Sequence, residues 1–192
     1  DMIFGIHNRP EMEDGTVRVQ SGPLMSSKSD FTITVKGKTG HSGSPHQCID
    51  PITASAGIVQ AVQTIISRNT DPFQPCVCAI CSIHGGSPAN FAPESVTMTG
   101  SIRSLDRASH EICEKRLREI VVNTCNAYGC SCDIDIVSLV PVLTNTEAMT
   151  EKALKIAQNA VSVDKIVTSS PCMGSEDFSV YGGHIPYYFY WI

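Results

Sequence analysis

Between Phe31 and Val35 the chain alternates strictly. Phe31, Ile33 and Val35 face one way and Thr32 and Thr34 the other, the period of a half-buried strand. Asp50-Pro51 then offers an N-cap residue followed by proline at the first helical position. Behind it Ile52, Ala56, Val59, Gln63 and Ile66 keep helical spacing, and Ile58, Val62 and Ile65 widen the stripe. Cys76, Cys78 and Ile80 predict a second strand that ends at His84-Gly85-Gly86. Val96, Met98 and Ile102 define one face of a third, with Arg103 on the other. Asp106 caps a predicted second helix whose Cys113, Leu117, Ile120, Val121 and Thr124 share a side. Gly129 lies just past its end, and Ile134 and Ile136 mark a fourth strand.

From about residue 30 to 140 the predicted order is therefore β-α-β-β-α-β, a ferredoxin-like arrangement closed by Pro141. Residues 10 to 29, rich in proline, glycine, serine and acidic residues, read as a connector, and residues 37 to 46 as a loop. A third helix is expected to start at Asn145 or Thr146 and run to about Val161, with Ala148, Leu154, Ile156, Ala157 and Val161 as its apolar positions. A short strand near Ile166 and a loop from Pro171 to Gly183 lead to a final aromatic strand at the end of the chain. The chain starts and stops inside what look like buried strands, whereas termini usually lie at the surface. The expectation is a complete small domain flanked by two incomplete pieces of another, cut from a longer protein.

Composition narrows the classes. Of 192 residues, 42% are hydrophobic and 17% charged, enough for a core and too few charges for a disordered tail. No apolar run approaches the roughly 18 to 20 residues that cross a bilayer, and no charged-then-apolar leader is visible, so no membrane association is expected. A net charge of −5 argues against a nucleic-acid partner. The β-α-β-β-α-β order could also describe an RNA-recognition module. Such modules stack bases on strand aromatics, however, and the matching stretches here show Thr97, Thr99 and Ser101, or Thr32 and Thr34. Nine cysteines read as reduced thiols packed as small apolar residues, which points to a reducing, cytoplasmic compartment.

Several residues invite chemistry. Cys76-x-Cys78-x-x-Cys81, with Cys130-x-Cys132, suggests zinc. Yet α-carbons two apart on a strand sit roughly 6.6 Å from each other, and Cys81 points to the opposite face, so packing is the better reading. His7 follows an apolar strand, where ligands collect in α/β sheets, and is a candidate metal ligand. His41 sits in a Gly-Ser loop able to bring an imidazole close to a ligand. Gly174-Ser175-Glu176-Asp177 places two carboxylates in a glycine-led loop, with helix capping by Ser175 as the alternative.

In order along the chain stand Gly5-Ile6-His7-x-x-Pro10, Phe31 to Val35, and Gly37-Lys38-x-Gly40-His41-x-x-x-Pro45-His46 with Asp50-Pro51. There follow His84-Gly85-Gly86-x-x-x-Asn90-x-x-Pro93, Gly100-x-x-Arg103 and Met173-Gly174-Ser175-Glu176-Asp177-Phe178. This set resembles the aminoacylase and carboxypeptidase family of dinuclear-metal amidohydrolases. The branch it is most similar to comprises hippurate hydrolase, N-acyl-amino-acid amidohydrolase and the plant auxin-conjugate hydrolases. The departures are small: Asn8-Arg9 stands where that branch often has Val-Trp, and Phe91-Ala92 where Val-Ile is common.

The resemblance implies an α/β catalytic domain (residues 1–27 and 141–192) interrupted by a ferredoxin-like α+β lid (28–140) that serves as homodimer interface. It implies two divalent metals, zinc or manganese with nickel as a third candidate, of which His7 would be one ligand; an imidazole nitrogen suits all three. The other ligands and the general-base glutamate belong to segments not found in this chain. The chain alone is therefore expected to hold at most one weakly bound metal and to hydrolyse nothing. His41 would be the lid histidine that stabilises the tetrahedral oxyanion, often in the other subunit's active site. Asn90 and Arg103 would hold the substrate carboxylate, Gly85 and Gly86 would let backbone approach the ligand, and Glu176 would line the substrate pocket. The implied activity is cleavage of the amide bond of N-acyl amino acids. The alternative is a non-catalytic module for dimerisation or for binding small carboxylates.

Overall fold

The computed structural model describes residues 1–86 and 88–192. In chain order its elements are β1 (Ile3–His7), β2 (Val17–Arg18), β3 (Gly22–Met25), β4 (Ser27–Lys36), β5 (Gly40–His41), α1 (Pro51–Asn69), β6 (Cys76–Gly85) and β7 (Phe91–Ala92). They continue with β8 (Ser95–Ser104), α2 (Arg107–Ala127), β9 (Ser131–Val140), β10 (Leu143–Asn145), α3 (Glu147–Ala160), β11 (Ile166–Val167) and β12 (Tyr187–Trp191). Two compact units emerge, Lys28–Leu139 and the combination of Asp1–Ser27 with Val140–Ile192. No helix among the described residues is long and apolar enough to cross a membrane.

In the unit 28–139 the sheet order is β6-β8-β4-β9. The first and third strands of the β-α-β-β-α-β run thus occupy the centre, the ferredoxin-like arrangement. Phe31, Ile33 and Val35 of β4 are buried, as alternation requires, and meet Val96, Met98 and Ile102 of β8 in one core. The Asp50 carboxylate accepts the Ile52 N–H at 2.9 Å and starts α1; Asp106 accepts the Ser109 N–H at 2.8 Å and starts α2. The α2 face against the sheet is Ser109, Cys113, Leu117, Val121 and Cys125, one residue every four. On α1 the core face is Ala54, Ile58, Val62 and Ile65, while Ile52 is 47% exposed. The leading stripe read from the sequence therefore lies beside the true core face. Two overlapping apolar arcs run along this helix, and spacing alone does not say which one meets the sheet.

A polar cross-brace ties the elements of this unit together. The buried Ser29 hydroxyl on β4 lies 2.7 Å from His110 Nε2 and donates to Glu114 at 2.9 Å, both on α2; it also reaches Ser138 on β9 at 3.3 Å. All nine cysteines are free thiols. Cys78, Cys113, Cys125 and Cys130 sit in the core, where burial pushes the Cys78 thiol up to about 12. Among the described residues no group of three or more His, Cys, Asp or Glu side chains could hold a metal ion.

The second unit carries a sheet of order β1-β12-β2-β11, with β1 and β12 parallel and in register from Ile3–Tyr187 to His7–Trp191. The stretch expected to be a connector (10–29) contains β2, β3 and the start of β4, and Arg18, Leu24 and Met25 are buried there. Strands of two to four residues are too short to display a period. Likewise β5 and a 3₁₀ turn, Pro45–Gln47, interrupt the expected loop 37–46. Thr146 is the cap of α3, as one of the two expected starts, and its buried positions are Met149, Ala153 and Ala157. Ala148, Leu154 and Ile156, expected as core, are exposed, and the i, i+4 row of Met149, Ala153 and Ala157 faces the core instead. Asn145 instead belongs to β10, where its amide clasps β12: Oδ1 accepts the Phe189 N–H at 2.9 Å, and Nδ2 donates to the carbonyls of Phe189 at 3.0 Å and Gln20 at 3.3 Å.

The two candidate faces of α1 give a direct test. Ile58→Ala should cost about 2–4 kcal/mol of unfolding free energy, the range for truncating a fully buried aliphatic. Ile52→Ala should stay within about 0.5 kcal/mol. Urea titration followed by circular dichroism checks both, and equal losses would contradict the assigned face.

Candidate functional site

In the unit 28–139 the candidate residues are positioned where the sheet runs out. Past the end of β4, Gly37 N–H donates to Glu94 O at 2.9 Å and Thr39 Oγ1 to Ala92 O at 2.7 Å. The pair β5–β7 continues this ladder, with Gly40 opposite Ala92 and His41 opposite Phe91. Ser42 N–H donates to Asn90 O at 2.8 Å. Two distant stretches of sequence are thereby joined, and His41 and Asn90 are brought together on one exposed corner. Phe91 packs edge-on against the imidazole with ring centroids 5.3 Å apart.

The imidazole is also held from its other side. Gly43 N–H donates to His41 Nδ1 at 3.0 Å. A backbone N–H can only donate, so Nδ1 must carry the lone pair, and the proton of the neutral ring sits on Nε2. His41 therefore presents an N–H donor outward, the polarity an oxyanion requires. Gly43 and Phe91 were not marked as functional by the sequence. The glycine looked like one of several loop glycines, and Phe91 like a departure in side-chain size.

Gly85 ends β6 opposite Val96, and a Cβ there would lie 2.7 Å from a Val96 methyl, so its small size serves packing between strands. Gly86 has φ +130°, which L side chains rarely adopt. Arg103 lies elsewhere. It is opposite Val77 in the same β6–β8 ladder in which Val96 is opposite Gly85. Seven residues at about 3.3 Å each put Arg103 roughly 23 Å along the strand from the Gly85 end. The structure joins His41 and Asn90 and leaves Arg103 at the opposite end of β8.

In the other unit, His7 is the last residue of β1 and lines an open concavity of about 530 Å³ with Glu176, Asp177, Phe178 and Tyr181. Gly5, two residues earlier on the same face, makes this possible. A Cβ there would lie 2.6 Å from the Phe189 ring and 3.1 Å from the Phe178 ring, so only glycine lets those rings close over the strand. The segment 176–178 is thereby seated beside His7, and His7 Nδ1 lies 3.1 Å from Glu176 Oε2. A lone glycine inside an apolar run is the one signal that could have announced this approach. The cap of the following 3₁₀ turn, Asp177–Gly183, is Glu176 and not Ser175 as the capping alternative supposed; Glu176 Oε1 accepts the Phe178 N–H at 3.4 Å.

Comparison with known proteins bears on both units. Residues 27–129 match the peptidase dimerisation domain of the M20 family. Thermostable carboxypeptidase 2 of Saccharolobus solfataricus is 37% identical over 180 residues, which is 93% of this chain and 45% of that protein. N-acetylcysteine deacetylase of Bacillus subtilis is 32% identical over 194 residues, covering 99% of this chain and 50% of its own length. The chain thus spans about half the length of the curated relatives it matches. Among solved structures, the Bacillus subtilis YXEP protein, described as a dinuclear metal-binding peptidase from the M20 family, superposes with a TM-score of 0.79. It is 27% identical, over 99% of this chain and 47% of that one.

The orientation of His41 is open to direct measurement. In ¹⁵N-detected spectra above the imidazole pKa, His41 should show the Nε2–H tautomer. Gly43→Pro, which deletes the donor N–H, should shift the ring toward a mixture of tautomers; a wild-type ring already mixed would contradict the bond.

Proposed function

Because this chain belongs to the M20 peptidase family, a family of hydrolases whose dimerisation domain it carries, we propose that it is part of a metal-dependent amidohydrolase. The substrates proposed are N-acyl amino acids or related conjugates. The observation that carries the reading is the outward N–H of His41, fixed by Gly43 and set beside Asn90. Amide hydrolysis passes through a tetrahedral oxyanion, and one donor aimed at it is worth about 3 to 4 kcal/mol of barrier.

His7 fits one ligand position of a divalent-metal centre, since its Nδ1 faces a carboxylate and its Nε2 remains to coordinate. Two metals at such a centre would polarise the scissile carbonyl and activate water. The remaining ligands and the general base are assigned to polypeptide outside this chain, and the chain alone is proposed to be inactive. Arg103 is proposed to clamp the substrate carboxylate, for which a planar guanidinium is suited.

The separation along β8 then dictates assembly. His41 and Arg103 of one copy are too far apart to touch one small substrate. Each site is accordingly proposed to take His41 and Asn90 from one subunit and Arg103 from another. This makes the homodimer a requirement of the chemistry.

In the complete enzyme, His41→Ala should lower kcat at least about tenfold with metal content unchanged. Arg103→Ala should weaken substrates with a free carboxylate far more than their esters. An unaltered kcat, or equal losses on acids and esters, would remove the respective residue from its role. Mixing the two impaired variants should raise activity on free-carboxylate substrates to about a quarter of wild type, because half of the randomly paired dimers would each hold one intact site. No recovery in confirmed mixed dimers would mean that both residues act within one subunit.

A further inference from the structure

We propose that Glu176 is a positioning residue that fixes the tautomer and orientation of His7, making its Nε2 a metal-binding lone pair. The inference rests on the reading of His7 as a ligand and assigns Glu176 a different job from lining the substrate pocket.

The geometry supports it from both sides of the contact. His7 Nδ1 is 3.1 Å from Glu176 Oε2. A carboxylate can only accept, so the shared proton belongs to Nδ1, and in the neutral ring the lone pair is left on Nε2. This is the reverse of the arrangement at His41, where a backbone donor occupies Nδ1 and sends the proton outward. Two imidazoles of one chain are thus set to opposite polarities, acceptor at His7 and donor at His41, by what faces the same ring atom.

The carboxylate is itself held in place. Its side chain is 16% exposed, against 52% for His7, so it is the more deeply seated partner. Its second oxygen takes the Phe178 N–H at 3.4 Å, and its backbone carbonyl takes the Ser179 hydroxyl at 2.7 Å. Phe178 is in turn clasped by Phe189 and Tyr187, with ring centroids 5.4 and 5.5 Å away. A carboxylate fixed at both oxygens and mounted on a packed aromatic group can impose one ring orientation. Partners of this kind change metal affinity by about 10- to 100-fold when removed.

The test uses the complete enzyme, with zinc titrated by calorimetry against a competing chelator. Folding is monitored by near-ultraviolet circular dichroism, and the His7 tautomer is read by ¹⁵N spectroscopy of the metal-free protein. Glu176→Ala should weaken zinc binding at one site about 10- to 100-fold and release the ring from a pure Nδ1–H tautomer. Glu176→Gln, whose amide oxygen can still accept, should keep the tautomer and recover much of the affinity. His7→Ala is the control for the underlying reading. If it leaves zinc binding intact, His7 is no ligand and the proposal falls with that reading. If it abolishes binding at one site while Glu176→Ala changes neither affinity nor tautomer, the reading stands and the role of Glu176 is overturned. Complete loss of one zinc in both Glu176 variants, with the tautomer unmoved, would make Glu176 a direct ligand and also overturn the proposal.

Discussion

The hydrogen-bonded ladder of β6 and β8 is the constraint to which the rest of the lid answers. A strand has a fixed rise per residue, so a group's place along β8 determines what it can reach. Slipping the ladder by one residue would turn Val96, Met98 and Ile102 out of the core and Arg103 into it, which fixes the register firmly. The one irregularity, between Ile80 and Ser82, takes up a single extra residue at Cys81 without disturbing the buried face. β8 therefore acts as a rigid spacer with a guanidinium near one end and the turn toward an imidazole at the other. In the proposed shared site, the pairing of two copies would follow from strand length as much as from surface affinity.

Both His7 and His41 meet a partner at Nδ1, one atom away from Nε2. Neither ring needs an unusual environment. Each needs a single partner of defined sign at Nδ1, a peptide N–H in one case and a carboxylate in the other. One partner is local backbone, Gly43 two residues from its histidine, and the other is a side chain distant in sequence, Glu176, which caps the turn it begins.

Much of this was legible in the residue pattern. The capping aspartates at 50 and 106, the alternation of β4 and the every-fourth-residue face of α2 each carry a period or a cap with a physical cause. The β-α-β-β-α-β order follows from them. What escaped was whatever lacked a period. β2 and β3 are too short to alternate, and the core rows of α1 and α3 had equally apolar neighbours. The candidate residues His7, His41, Asn90 and Arg103 could be named from motifs. Their grouping could not, because motif spacing along the chain says nothing about which end of a strand a loop folds over. Arg103 and Asn90 sit close in sequence, yet an extended strand between them keeps them apart.

The Asn145 clasp has a chemical vulnerability of its own. Its amide nitrogen donates to two peptide carbonyls in a site with 1% exposure, while its oxygen accepts from the strand that runs beside β1. An Asn145→Asp substitution would replace the donor by a second acceptor, setting an anion against two carbonyl oxygens. The β12 strand would lose the bond to its Phe189 carbonyl, beside the strand that carries His7. A single changed atom on a buried side chain would thus be felt at a histidine it never touches.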